Sequence, residues 1–233
     1  MYYRLKKAKA MADNVPYFVV ASFQLLTPSY TSGSWSTVYS LKEEHLIGRN
    51  QLLTTIPLLK KEWRVSFQFK AHGFEEFAQV LHLTTGGKGS GGNAKYGDRT
   101  PAIWVHPSKG FLISSAVGGR ISYSMYLDAL PSTRKWINIE VSQEMVANAM
   151  IYSITIGGNE VLSLKNSEPS DFENVQVFAS TSWYSPVNGF IKNLLIENKN
   201  EGKSKVANAS SVVNASLTHS INPVTPVICQ TAL

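Results

Sequence analysis

The chain has 233 residues, 43% hydrophobic and 16% charged, a mixture with enough apolar mass for a core and too little charge for disorder. Its net charge of +6 comes in good part from Arg4, Lys6, Lys7 and Lys9, and no strand-like segment carries the Lys/Arg clusters interleaved with aromatics that a nucleic-acid surface needs, so no nucleic-acid partner is expected. The lone cysteine, Cys229, excludes an intradomain disulfide, a cysteine-based zinc site and a CxxC redox centre.

In chain order, residues 15 to 26 form the first apolar run. The run contains Pro16 and Gln24, lacks a small-x-small cleavage site and is too short to span a bilayer, so it reads either as a buried strand or as a degenerate leader. No other segment approaches membrane length. From Trp63 the alternation is clean: Trp63, Val65, Phe67 and Phe69 fall on one face and Glu62, Arg64, Ser66, Gln68 and Lys70 on the other, the pattern of a strand with one buried and one wet face. Further strands are expected at residues 77 to 84, 101 to 106, 110 to 117 and 120 to 127, with Lys109-Gly110 and Gly118-Gly119 as turn signals. Residues 135 to 141 put Ile137, Ile139 and Val141 on one side, and Trp136, like Trp63, is expected to be a structural residue that begins its strand; Gly157-Gly158-Asn159 joins two strands as a hairpin. Strands at 172 to 180 and 189 to 197 close the series. Eleven to thirteen strands and no helix predict an all-β, antiparallel sandwich.

The boundaries follow. Residues 1–34 are an N-terminal segment, leader or first strand; 35–197 the sandwich; and 198–233 a linker or tail, rich in Asn, Ser, Lys, Val and Ala. Asn208-Ala-Ser210 and Asn214-Ala-Ser216 in that tail fit the N-glycosylation acceptor pattern, which favours a secreted or extracellular location.

Taken in order, the Glu62–Phe69 alternation, the Ile103-Trp104 strand, Lys135-Trp136 with its following alternation, Tyr152-Ser-Ile-Thr-Ile-Gly-Gly158 and the closing Gly189-Phe-Ile-Lys-Asn-Leu-Leu-Ile196 resemble the concanavalin A-like lectin/glucanase superfamily. Within it the likeness is nearest to laminin G-like and pentraxin-like modules, and it spans residues 50 to 197. The resemblance implies a single jelly-roll sandwich of two antiparallel sheets that binds glycans or protein partners outside the cell, often with calcium. Calcium needs about six to eight oxygen ligands, whereas Asp98, Asp128 and Asp171 are isolated carboxylates, so no cofactor is assigned.

The glycine-rich loop 85–101 is the most distinctive local feature, but it has no GxxxxGK[ST] register and no helix pattern follows, which argues against a phosphate cradle. Where it re-enters the sheet stand Tyr96, Asp98 and Arg99, followed by Trp104 and His106. These five are the candidate ligand contacts: carboxylate and guanidinium to hydrogen-bond a sugar, rings to stack on it. The alternative is an Asp98-Arg99 pair that ties down the loop, with Trp104 as packing. Ala102, Trp104 and His106 share one strand face, and His82 is expected on the side of Val80. The histidines show no ligand pair at metal spacing.

A glycoside hydrolase on this fold needs paired carboxylates on one strand face. Trp136, Asn138, Glu140 and Ser142 share a face without an acidic partner among them, and neither a G-x-S-x-G elbow nor a usable cysteine supports nucleophilic catalysis. The expectation is a non-catalytic extracellular module for a glycan or an extracellular matrix protein. A polysaccharide-cleaving enzyme and a purely structural domain are the alternatives.

Overall fold

A computed structural model describes residues 3–4, 24–25, 33–73, 75–86, 95–127 and 133–200. The described residues contain strands and no helix. A short antiparallel pair joins β1 (Tyr3–Arg4) to β2 (Gln24–Leu25). The remaining strands are β3 (Trp35–Leu41), β4 (His45–Leu46), β5 (Leu52–Leu59), β6 (Trp63–Ala71), β7 (Ala78–Thr84), β8 (Ala102–His106), β9 (Gly110–Val117), β10 (Arg120–Leu127), β11 (Ile137–Val146), β12 (Ala149–Ile156), β13 (Asn159–Lys165), β14 (Phe172–Phe178) and β15 (Gly189–Lys199).

These thirteen strands build two sheets. One has six strands in the order β10-β9-β8-β7-β14-β5; the other has seven, β13-β12-β11-β6-β15-β3, with β4 also on β15. All pairings within them are antiparallel. The expected all-β sandwich of two antiparallel sheets is the architecture found.

Alternation drives the layering. In β6 every second residue from Trp63 to Ala71 is buried, and these pack with the inward side chains of β12 and β15 in the same sheet and of β7 and β9 in the other, in one core: Trp63, Phe69, Phe111, Ile113, Ile154 and Ile196 are at most 1% exposed. Trp63 meets Tyr152 edge-on at 6.4 Å and Phe69 meets Phe111 at 5.9 Å, the T-shaped geometry that ring quadrupoles favour. The Tyr152 hydroxyl, whose pKa burial pushes well above 10, bonds Ser115 Oγ of the opposite sheet at 2.8 Å.

Two hairpins turn on paired residues with positive φ. Gly118 (60°) and Gly119 (72°) join β9 to β10, and Gly157 (61°) and Gly158 (86°) join β12 to β13, as two-residue loops matched to strand twist require. A third such loop, Ala147 (46°) and Asn148 (65°) between β11 and β12, contains no glycine and left no turn signal.

Two expectations are corrected. Trp136 does not open a core-packed strand: it precedes β11 and lies half-buried on the outer face of the seven-stranded sheet, its ring centroid 4.4 Å from Lys70 Nζ and 4.2 Å from Lys192 Nζ. His82 does not share a face with Val80, because a bulge between Gln79 and Leu81 sends both Val80 and Leu81 into the core and reverses the parity beyond it. The closing strand also runs to Lys199, two residues past the expected sandwich boundary at Glu197. The glycine-rich residues 87–94, Asp128, both sequons and Cys229 lie outside the described residues.

Candidate functional site

The outer face of the six-stranded sheet gathers the chemistry. In β8, Ile103 and Val105 enter the core while Trp104 and His106 point the other way. Register places Leu112 of β9 and Tyr126 of β10 in one row with Trp104, and Ser114 and Ser124 in the next row with Ala102. Aromatic rings collect around Trp104: Phe77 stacks on it at 6.1 Å, Tyr184 meets it edge-on at 5.4 Å and His82 tilts against it at 6.0 Å. His106 contacts both Phe77 and Tyr126. Trp104 is only 2% exposed, so its ring is not an open platform, and its buried indole N–H finds no acceptor among the described residues. The open rings of this face are Tyr126 and Trp183, 46% and 40% exposed.

Arg99 lies over Trp104, its guanidinium carbon 5.5 Å from the ring centroid. Its Nη1 donates to Ser122 Oγ. Ser122, Ser114 and Ser124 form a triangle of hydroxyls with edges of 2.8, 2.9 and 3.1 Å. Each hydroxyl has one proton and two lone pairs; Ser114 is fully buried, so the accepting capacity left toward solvent beside the guanidinium donor comes from the exposed Ser124 and the half-buried Ser122. Lys109 Nζ lies 5.0 Å from the Tyr126 ring.

Tyr96 and Asp98 occupy a different role in the same region. The Asp98 carboxylate is fully buried and accepts from Lys95 N–H at 2.7 Å and Thr85 Oγ1 at 3.2 Å; it staples the loop where it rejoins the sheet. The Tyr96 hydroxyl donates to the carbonyl of Glu168 (2.7 Å) with that of Ala116 also in reach (3.2 Å), its ring packs on Phe172 at 5.7 Å, and burial raises its pKa. The five expected residues thus separate into loop struts, Tyr96 and Asp98, and an outer-face group of Arg99, Trp104 and His106.

Beneath the patch His82 is fully buried. Its Nε2 lies 2.6 Å from the Asp98 carbonyl, which can only accept, so Nε2 carries the proton and Nδ1 accepts from Gln79 Nε2 at 3.1 Å. Gln79 Oε1 in turn accepts from Thr181 N–H (2.7 Å) and Oγ1 (2.8 Å). Burial lowers the His82 pKa to about 4, against the opposing pull of the Asp98 carbonyl. The neutral ring joins the 95–99 loop to the loop that carries Trp183.

On the opposite sheet β11 carries two carboxylates on one face, Glu140 and Glu144, with Ser142 between them, which corrects the expectation that Glu140 has no acidic partner on its face. Lys199 Nζ holds Glu144 at 3.3 Å and Glu62 at 3.2 Å, and Arg64 holds Glu197. Among the described residues no group of three or more His, Cys, Asp or Glu is placed to bind a metal, and no helix is long and apolar enough to cross a membrane.

Residues that sequence reasoning missed are Ser114, Ser122, Ser124, Tyr126 and Trp183. The first four had a signal: Ser122, Ser124 and Tyr126 alternate with Tyr123 and Met125 of the core side, and Ser114 has the parity opposite to the core residues Phe111 and Ile113, so period two puts each on the outer face of its strand. Trp183 had none, since a loop has no period.

No protein-family model matches the chain, and no curated protein matches it in sequence. Solved structures do match in fold. The CBM40 of the Ruminococcus gnavus IT-sialidase aligns with a TM-score of 0.50 at 13% identity, covering 72% of this chain and 95% of that one. Domain 4 of AbnA, a GH43 extracellular arabinanase from Geobacillus stearothermophilus solved with arabinotriose, aligns at 0.48 and 14% identity over 74% and 96%. A SAP-like pentraxin from Limulus polyphemus aligns at 0.44 and 8% over 71% and 73%. The likeness is one of fold, a jelly-roll sandwich in keeping with the concanavalin A-like architecture.

Proposed function

We propose that the chain is a non-catalytic glycan-binding module of a secreted or extracellular protein, with its ligand on the outer face of the six-stranded sheet. The observation that carries this is the hydroxyl triangle of Ser114, Ser122 and Ser124, fed by the Arg99 guanidinium and edged by the exposed Tyr126 ring. A saccharide needs fixed acceptors and donors for its hydroxyls and an aromatic surface for its C–H faces, and protein sites supply these as a few oriented polar groups on a rigid scaffold. His106 and Trp104 position that edge, while Tyr96 and Asp98 hold the loop beside it. The fold shared with the sialidase CBM40 supports a binding module on this scaffold. An extracellular matrix protein reaches the site, in this reading, through its glycans.

The test is a glycan array probed with the full chain, with and without calcium, alongside Ser124→Ala and Tyr126→Ala. Both substitutions are at exposed positions, so melting temperature should hold while binding of retained glycans falls about tenfold, the scale of one lost hydrogen bond or stacking contact to ligand. Unchanged binding in both variants, or an array on which the wild-type chain retains nothing, overturns the reading.

A further inference from the structure

The outer face of the seven-stranded sheet carries a second constellation that the proposed site does not use. A groove of ≈ 370 Å³ crosses β6, β11, β12 and β15 and is lined on the solvent side by Ser66, Gln68, Asn138, Glu140, Thr155 and Asn193. Its floor is a ladder of amides: Asn193 Nδ2 donates to Gln68 Oε1 at 3.1 Å, and Gln68 Nε2 donates to Asn138 Oδ1 at 2.9 Å. The ladder orients each amide and leaves the outer ones, an Asn138 N–H and the Asn193 carbonyl, to bind something else. Trp136 lies two residues before Asn138 in sequence, with Lys70 and Lys192 on its ring.

Backbone geometry reinforces the point. β15 has a register shift between Lys192 and Leu195, and within it Asn193 adopts φ 51°, a left-handed conformation that costs most non-glycine residues. The bulge puts Lys192 and Asn193, adjacent in sequence, over one face, where a regular strand would send the second into the core. The left-handed conformation, which asparagine takes readily, and the register shift together aim both side chains outward.

Charge selects the ligand class. Lys70 is paired with Glu44 at 2.9 Å, whereas Lys192 has no carboxylate within 4.0 Å among the described residues. Lys192 stands at the Trp136 ring; Glu140, an acceptor for hydroxyl protons, stands in the groove. We infer that this groove is a second binding site, for an acidic saccharide whose carboxylate or sulfate meets Lys192 beside Trp136 and whose hydroxyls run along the amide ladder toward Glu140. The chain then engages glycans from both sheets, and the two sites are independent of each other.

The experiment titrates the full chain with tetragalacturonate, with its fully methyl-esterified neutral form, and with a sulfated galactan of the same length. It follows the Trp136 indole N–H resonance, assigned by its loss in Trp136→Phe, and measures affinities by calorimetry. A saturable shift with an acidic chain and none with the methyl ester is expected, and the carboxylated and sulfated arms identify which anion is preferred. Lys192→Gln should weaken binding about tenfold or more. Asn193→Gly, which keeps the left-handed backbone without strain, should weaken it without lowering the melting temperature. Ser124→Ala and Tyr126→Ala should leave it unchanged, so this site stands even if the array on the other face fails. A response to none of the three chains, equal affinity for the methyl ester, wild-type affinity in Lys192→Gln, or loss of the shift in Tyr126→Ala would each overturn the inference.

Discussion

His82 shows how one buried side chain couples stability to pH. Its pKa falls from the ordinary 6.5 to about 4 because burial disfavours the charged ring. Since the unfolded chain binds the proton more tightly, the stability it contributes is fully present above pH 6.5 and is lost as pH falls toward 4. The shift corresponds to roughly 3 kcal/mol at full protonation. Protonation also places a second donor on Nδ1 against the Gln79 amide. The melting temperature should therefore drop between pH 6.5 and 4, and the drop should be shallower in His82→Gln; equal slopes would remove His82 as the cause. The two tryptophans separate by the same logic of burial. Trp63 is 1% exposed, so Trp63→Ala should cost about 3 to 5 kcal/mol. Trp136, on the surface, should cost about 1 kcal/mol or less on replacement by Ala, the range of exposed cation–π contacts. Chemical denaturation of both variants checks the contrast. Both residues open alternating segments in sequence, and parity tells them apart: Trp63 shares the face of Val65, Phe67 and Phe69, Trp136 that of Asn138 and Glu140.

At the scale of elements, the buried Asn166 following β13 ties the sheets together. Its Oδ1 accepts from Gly118 N–H (2.8 Å) in the β9–β10 turn and Glu168 N–H (3.0 Å), and its Nδ2 donates to Gln143 Oε1 (2.6 Å) of β11. Removing it leaves the buried Gln143 Oε1 without its partner, at about 1 to 3 kcal/mol, while the N–H groups of the exposed Gly118 and Glu168 can turn to water. Asn166→Ala should lower stability by about 1 to 3 kcal/mol on that scale, and a melting temperature within a degree of wild type would contradict the network. The β11–β12 turn offers the opposite case. Ala147 holds φ 46°, where glycine pays no steric penalty, so Ala147→Gly should raise stability by roughly 0.5 to 1 kcal/mol; a loss would show that the turn tolerates Ala without strain. The strands at 110–117 and 120–127 stand where alternation and glycine signals placed them. The Ala147-Asn148 turn and the bulges in β7 and β15 were illegible, because each is a register event set by the partner strand.

At the scale of the whole molecule, the core is assembled from residues between Ile47 and Ile196, and its strands pair far from their sequence order: β14 lies between β7 and β5, and β15 between β6 and β3. Pairing distant segments demands loop closure before contacts repay it, so folding in the millisecond-to-second range is expected. The extent of the described core leads to a direct test. A chain of residues 33–200 contains every side chain of the described core and should melt within a few degrees of the full chain; an unfolded fragment would place essential contacts outside it.

By itself the sequence determined the fold class and most of the strands, because period two is a local property: which residues turn inward depends only on their neighbours along the chain. It also placed Trp104 and His106 together on a face opposite Ile103 and Val105. The tertiary structure alone decided strand order, the parity of His82 and the meeting of Arg99 with Ser114, Ser122 and Ser124. Those depend on which strands become neighbours and on one-residue register shifts, and such choices arise between segments, where no pattern within a single segment can record them.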